Sequence, residues 1–143
     1  MFKIIEGVFS QEECAQILQA LEQGEWIEGA KTAGSLAKRV KQNLQLDDQK
    51  SIAQDLSRRI EQRLLQTSEF VSHALPHKFY PPKFNLYQNG GFYGAHVDNA
   101  VLHNPYNGEQ MRADLSATLF LNSPESYLGG ELQIDTGMGV QEI

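Results

Sequence analysis

Apolar residues recur at two different periods along this chain, and the period changes near Pro76. Before that point the spacing is helical. Cys14, Ile17, Leu18 and Leu21 fall at i, i+3, i+4 and i+7, one face of a helix. Ser10-Gln-Glu-Glu13 stands ahead of them in capping-box order, the Ser oxygen and the Glu carboxylate serving free N–H groups, and Gly24 supplies the stop. Ile52, Leu56, Ile60 and Leu64 repeat every four residues with Arg58, Arg59, Glu61 and Gln62 on the other faces. Asp47 and Asp48 mark that helix's start, with acidic residues early and basic ones later, the order that suits the helix dipole. Thr67 or Ser68 is placed to cap a third, shorter helix carrying Phe70, Val71, Ala74 and Leu75.

Between and before the helices the pattern is shorter. Phe2 to Phe9 is predicted as a strand. From Trp26 to Leu46, Gly29 and Gly34 break any long helix, while Val40, Leu44 and Leu46 face inward from an irregular strand; Trp26 reads as core. After Pro76 the chain reads as β. Phe79-Tyr80 runs into Pro81-Pro82, which cannot sit centrally in a sheet. Lys83 to Gln88 alternates as a strand, and a further strand follows the Gly-rich turn at Gly90-Gly91. Asn99 to Gln110, with Asn104-Pro105 and Asn107-Gly108, is predicted as a long loop. Asp114 to Leu121 is predicted as a strand buried on both faces, since apolar residues occupy both parities. Gly129-Gly130 turns into a strand through Asp135, and Gly137 and Gly139 interrupt the last stretch. Helices first and strands later make an α+β chain with helices packed on a sheet; sandwich and barrel both remain open.

Composition narrows the partners more than the fold. With 143 residues, the length suits one domain with a real core. Twelve Lys and Arg against eighteen Asp and Glu leave a net charge of −6, which argues against a general nucleic-acid binder. The local basic run of Lys31, Lys38, Arg39 and Lys41 reads as a solvated face rather than a site for phosphate or an acidic substrate. The single Cys14 rules out an intramolecular disulfide and reads as a small buried hydrophobe. No leader-like segment and no membrane-spanning apolar run is present, so the expected compartment is the cytoplasm.

The stretch with chemistry in it is Tyr87-Gln-Asn-Gly-Gly-Phe-Tyr-Gly-Ala-His96-Val-Asp98. On an extended backbone, side chains at i and i+2 share a face, so His96 and Asp98 present an imidazole and a carboxylate side by side with Val97 turned away. A His and a carboxylate are two thirds of the facial set that suits non-haem Fe(II) and leaves positions open for other ligands. The tripeptide alone is a weak signal. Gly90, Gly91 and Gly94 strengthen it, because they allow a tight turn and close backbone approach. His73 and His77 flank Leu75-Pro76 with no carboxylate or Cys at ligand spacing and read as structural or exposed. His103 lies in the predicted loop, too near Asp98 in sequence to complete the set.

Phe84-Asn-Leu-Tyr87, the H-x-D, the Asp114-to-Leu121 segment and Gly129-Gly-Glu-Leu132 together resemble the PKHD-type hydroxylases, prolyl 4-hydroxylase-like members of the Fe(II)/2-oxoglutarate-dependent dioxygenases. The resemblance extends upstream through Phe9-Ser10, Thr32-Ala33-Gly34 and Arg39 to Leu46. It implies a double-stranded β-helix, a jelly roll, over 77–143 supported by a helical region over 1–76. It implies Fe(II) held by His96 and Asp98, 2-oxoglutarate as co-substrate, ascorbate as reductant, and hydroxylation of an unactivated C–H bond, peptidyl or amino-acid in character, with release of succinate and CO2. In such a site the Tyr87 hydroxyl reaches the 2-oxoglutarate carboxylate; a core Tyr with a satisfied hydroxyl is the equal alternative. Asn85 shares its face, and Thr118 is a third candidate for lining the cofactor pocket. Arg112 precedes the Asp114 segment and reads as a surface contact.

One departure stands out. The family pattern carries a second His and an Arg after the Gly-Gly-Glu-Leu turn, and this chain has neither beyond Leu132. The expectation is therefore an incomplete hydroxylase, with a small-molecule or peptidyl substrate, no nucleic-acid or membrane partner, and self-association through an open sheet edge. A catalytically inactive binding module and a cupin-like metal-binding protein are the alternative readings.

Overall fold

The computed structural model describes residues 2–31 and 41–143. In chain order the first half holds α1 (Gln11–Glu22), β1 (Trp26–Glu28), a 3-10 turn (Gly29–Lys31), β2 (Lys41–Gln42), β3 (Leu44–Leu46), α2 (Ser51–Gln66) and α3 (Ser68–Ala74). The second half holds β4 (Asn85–Leu86), β5 (Phe92–Tyr93), β6 (Val101–His103), β7 (Gln110–Arg112), a 3-10 turn (Pro124–Ser126), β8 (Gln133–Asp135) and β9 (Val140–Glu142). The class is α+β. β1, β3 and β4 make a three-stranded antiparallel sheet with β3 central, and β2–β5, β6–β7 and β8–β9 are two-stranded antiparallel pairs. A closed jelly roll is not formed among the described residues. Thr32-Ala33-Gly34 and Lys38, Arg39 and Val40 lie outside them.

α1 begins as its sequence dictates. The Ser10 hydroxyl accepts from the Glu13 N–H at 3.1 Å, and the Glu13 carboxylate accepts from the Ser10 N–H at 2.9 Å. Ile17 and Leu21 are its buried positions, with Cys14 and Leu18 packed at the edge of the core. Gly24 follows the helix but not in the left-handed conformation of a glycine cap; it is there because Leu46 passes over it, and an added Cβ would sit 2.3 Å from Leu46 Cδ1. α2 buries Ala53, Leu56, Ser57 and Ile60, and Asp47 and Asp48 lie in the turn ahead of it, with no acidic residue in its first turn. The core is then Phe9, Ile17, Leu21, Leu46, Ala53, Leu56, Ile60 and Phe84, closed at its margin by Trp26, whose indole N–H donates to the Leu21 carbonyl at 3.2 Å.

Several predicted elements come out differently. Phe2 to Phe9 is not a strand: no strand among the described residues offers it a ladder, and Gly7 turns it at φ +68°. Side chains fasten it instead. Arg63 of α2 donates to the Val8 carbonyl at 2.9 Å, lies 4.7 Å over the Phe9 ring and pairs with Glu13, while Lys3 pairs with Glu69 at 2.8 Å. The long loop predicted over Asn99 to Gln110 is a hairpin, β6–β7, in register Val101↔Arg112 and Leu102↔Met111, and its turn is built by the Asn104 and Asn107 side chains accepting from Tyr106 and Glu109 N–H groups. The turn signals were there; three-residue flanking strands are too short to register as alternation. The predicted Asp114 to Leu121 strand has no paired neighbour in the described chain, and Leu115 is 69% exposed where burial on both faces was expected. Only Leu119 and Leu121 touch the core. Lys83 to Gln88 shrinks to β4, since Pro81 and Pro82 offer no N–H; the Ser57 hydroxyl takes the Pro82 carbonyl at 2.7 Å in place of a ladder bond. Among the described residues no helix is long and apolar enough to cross a membrane.

Packing of Gly24 under Leu46 gives a coupled prediction. Gly24→Ala should cost about 1–3 kcal/mol by overpacking and Leu46→Ala about 2–5 kcal/mol by cavity formation. The double variant should lose less than the two together, because the removed leucine vacates the space the new methyl needs. Urea unfolding of the four proteins measures this, and strict additivity would refute the contact. The Glu13–Arg63 pair gives a second. Hydrogen bonding from Arg63, then from the Ser10 N–H, holds the Glu13 carboxyl down at about 2 against an ordinary 4.5. A depressed carboxyl contributes stability that is complete above its unfolded value and lost as pH falls through the folded one. Wild type should therefore lose stability between pH 4.5 and 2 more steeply than Glu13→Gln, read from urea midpoints across that range.

Candidate functional site

The site is assembled by one run of backbone, β2–Asn43–β3, that pairs in two directions. Through β3 it belongs to the core sheet, with Leu44 opposite Leu86 and Gln45 opposite Asn85. Through β2 it holds β5, with Lys41 opposite Tyr93 and Gln42 opposite Phe92. The chain crosses from β4 to β5 by a tight turn at Asn89-Gly90, at φ +52° and +77°, closed by a Gly91 N–H to Gln88 carbonyl bond of 2.9 Å. Two consecutive left-handed residues are the requirement an Asn-Gly turn meets. Gly91 then passes so close to β2 that a Cβ would lie 2.7 Å from the Gln42 carbonyl. This close approach is what the glycine-rich stretch was expected to permit.

Three residues past β5 the structure brings His96 and Asp98 together without placing them on a paired strand. His96 Nε2 lies 3.3 Å from Asp98 Oδ1, and Val97 between them is 93% exposed. His96 Nδ1 lies 2.7 Å from the Gly94 carbonyl. A carbonyl can only accept, so Nδ1 carries a proton, and in the neutral ring Nε2 presents its lone pair. The imidazole is held flat against the Tyr93 ring, centroids 3.7 Å apart and planes 12° from parallel. In that form two acceptor atoms face one another, and a proton or a metal cation between them satisfies both. Octahedral ions hold neighbouring oxygen or nitrogen donors roughly 3 Å apart, close to the gap seen here. The pair fits two adjacent positions of a metal. Among the described residues no group of three or more His, Cys, Asp or Glu gathers around a metal-sized space.

The other candidates separate. Asn85 and Tyr87 lie on and just after β4. Asn43 Nδ2 donates to Asn85 Oδ1 at 3.1 Å, and Asn43 Oδ1 is buried without a hydrogen-bond partner, turned onto Gly29. Tyr87 is 44% exposed, and burial of its phenol, with the nearby Tyr93 phenol acting in the same direction, raises its pKa against a pull from Asn43. It is therefore neither a buried core Tyr nor remote from the His96 cluster. Thr118 is exposed on the unpaired segment after Arg112. His103 is on β6 and exposed; His73 and His77 are exposed, His73 Nδ1 meeting the Glu69 carbonyl at 2.8 Å. Arg112 pairs with Asp114 at 2.7 Å on the surface.

Two residues that sequence reasoning passed over belong to the cluster. Tyr93, three positions before His96, braces the imidazole, and Lys41 places its ammonium 4.9 Å from the Tyr93 ring centre. Lys41 is half-buried on the wall of a cavity of about 370 Å3 between β2, β3 and the β4–β5 turn. Burial, with Lys83 adding, holds its ammonium below the ordinary lysine range. Its place in a run of basic residues suggested solvent; only the β2–β5 register shows otherwise.

No family model matches the chain. Among curated proteins its relatives are PKHD-type hydroxylases. It is 48% identical over 143 residues to one from Pseudoalteromonas atlantica, covering all of this chain and 63% of that protein. It is 49% identical over 139 residues to one from Acidovorax ebreus, covering 97% of this chain and 61% of that protein, and 45% identical over 139 residues to one from Pseudomonas putida, 62% of which is covered. The resemblance carried by the motifs is therefore shown: the chain is homologous to PKHD-type hydroxylases from end to end. It spans less than two thirds of the length of these curated relatives.

Asn43 offers a direct test of the site's support. Gly29→Ala would set a Cβ 1.9 Å from Asn43 Oδ1, so the carboxamide must leave and its bond to Asn85 must break. The expected result is a displaced Asn43 side-chain amide resonance with a stability loss of about 1–3 kcal/mol. An unmoved resonance would show that the carboxamide does not rest on Gly29.

Proposed function

We propose that the whole protein is an Fe(II)- and 2-oxoglutarate-dependent hydroxylase acting on an unactivated C–H bond of a peptidyl or amino-acid substrate, within a jelly roll to which this chain contributes the first strands. The observation that carries this reading is the facing of His96 Nε2 and Asp98 Oδ1 at 3.3 Å, in a chain whose relatives over its full length are PKHD-type hydroxylases. His96 and Asp98 would hold the iron. The bound iron and 2-oxoglutarate supply the oxidising chemistry, with succinate and CO2 as co-products and ascorbate as reductant.

This chain's own residues orient and shield. The Gly94 carbonyl keeps the Nδ1 proton in place, so Nε2 stays free as a donor. The Tyr93 ring fixes the imidazole plane, limiting the ways His96 can turn from the metal. Tyr87 and Asn85 offer a hydroxyl and a carboxamide to a carboxylate of 2-oxoglutarate, with Thr118 lining the far side of the pocket in the complete fold. The remaining protein donor and the basic partner for the distal carboxylate are the His and Arg that the family pattern carries after the Gly-Gly-Glu-Leu turn. A reducing cytoplasm is the compartment in which such an iron stays ferrous.

The test is an anaerobic titration with Fe(II) and 2-oxoglutarate, followed by the visible metal-to-ligand charge-transfer band. A band is expected when the chain is carried on to the length of its relatives, and it should vanish in His96→Ala and in Asp98→Ala. Absence of the band in that longer protein would refute the 2-oxoglutarate reading and leave a metal-binding module without this chemistry.

A further inference from the structure

We propose that Lys41 is the docking point for a carboxylate of the substrate, a second polar anchor beside the His96–Asp98 pair. The proposal rests on reading that pair as the reactive end of the site, and it adds the chemical class of what is bound there. All eighteen acidic residues of the chain fall within its described part, and none of them forms an ion pair with Lys41. The ammonium instead lies over the Tyr93 ring, half-buried in a cavity walled by the polar side chains of Gln42, Asn43, Gln88 and Asn89. A half-buried cation without a counter-ion is costly unless a ligand supplies one. The surrounding carboxamides can serve the remaining acceptors and donors of an amide-bearing acid.

The geometry also bounds the reach of that acid. The His96 imidazole stacks on the Tyr93 ring at 3.7 Å, and the Lys41 ammonium lies 4.9 Å from the centre of the same ring. Taken end to end, the two ring separations put the ammonium at most roughly 9 Å from the imidazole centre, a span of a few covalent bonds. Lys41 and the His96 imidazole are thus near enough for one small molecule to reach both. That suits a substrate anchored at one end and oxidised several bonds away.

The test is calorimetric titration of the protein in metal-stripped buffer with N-acetylglycine, its neutral counterpart N-acetylglycinamide, and 2-oxoglutarate. N-acetylglycine should bind at least about tenfold more tightly than the amide, and Lys41→Met should lose about the same factor, the range of one hydrogen bond to a charged group. Lys41→Arg, which keeps the charge, should stay within about threefold of wild type. Far-UV circular dichroism checks that the variants are folded, and if Lys41→Met is not, the acid–amide comparison in wild type decides. Equal binding of acid and amide, undiminished binding by folded Lys41→Met, or no binding of N-acetylglycine overturns the proposal. Lys41-dependent binding of 2-oxoglutarate alone also overturns it, and assigns the lysine to the co-substrate. Because no metal is present, failure here is separate from failure of the charge-transfer band, which bears only on the hydroxylase reading.

Discussion

The six residues from Lys41 to Leu46 are the constraint on which both halves of the structure depend. At one end Leu46 is sealed into the core against Gly24 and the buried faces of α1 and α2. At the other end Lys41 and Gln42 take β5 as a partner and so fix where the chain runs just before His96. Asn43 stands between the two pairings. Its backbone carbonyl accepts from Gly29 at 2.9 Å, and its side chain reaches Asn85. A shift of register by one residue would turn Leu46 out of the core and carry Tyr93 away from Lys41. Burial of apolar surface by the helices therefore sets the position of the polar cluster around His96.

The two ends of the chain are stabilised by different means. Residues 2–31 and 41–86 share a packed core, and even the irregular N-terminal segment is drawn onto α2 by Arg63, which binds a carbonyl, a carboxylate and an aromatic face together. Beyond Gly94 the backbone bonds are local. β6–β7 and β8–β9 pair only within their own hairpins, and large apolar residues such as Leu115, Leu128 and Met138 face solvent. Strands with apolar residues on both faces need neighbours on both faces to bury them. The described chain provides few, and it spans 61–63% of its relatives' length.

The same contrast explains the chemistry. His96 and Asp98 are two residues apart, so local backbone alone can set them side by side. No third His, Cys, Asp or Glu gathers with them among the described residues. The His96–Asp98 pair is the part of the candidate site that sequence-local geometry can build.

Read alone, the sequence determined the three helices, because helical order depends on neighbours three and four residues apart and on caps such as Ser10 and Glu13. It determined that a glycine-rich turn stands at Gly90-Gly91 for the same reason, and it set His96 beside Asp98. The resemblance to PKHD-type hydroxylases was also legible, since it rests on residue identities. What it missed were features decided by partners far along the chain. Phe2–Phe9 and Asp114–Leu121 have strand-like composition, yet a strand exists only where another backbone takes its hydrogen bonds. The β6–β7 hairpin is the converse, since pairing made strands of segments too short to show a pattern. Lys41 looked like one more solvated lysine, and Tyr93 carried no sign at all. Only the antiparallel register of β2 with β5, fixed by packing fifty residues apart in sequence, set Lys41 over the ring on which the imidazole stacks.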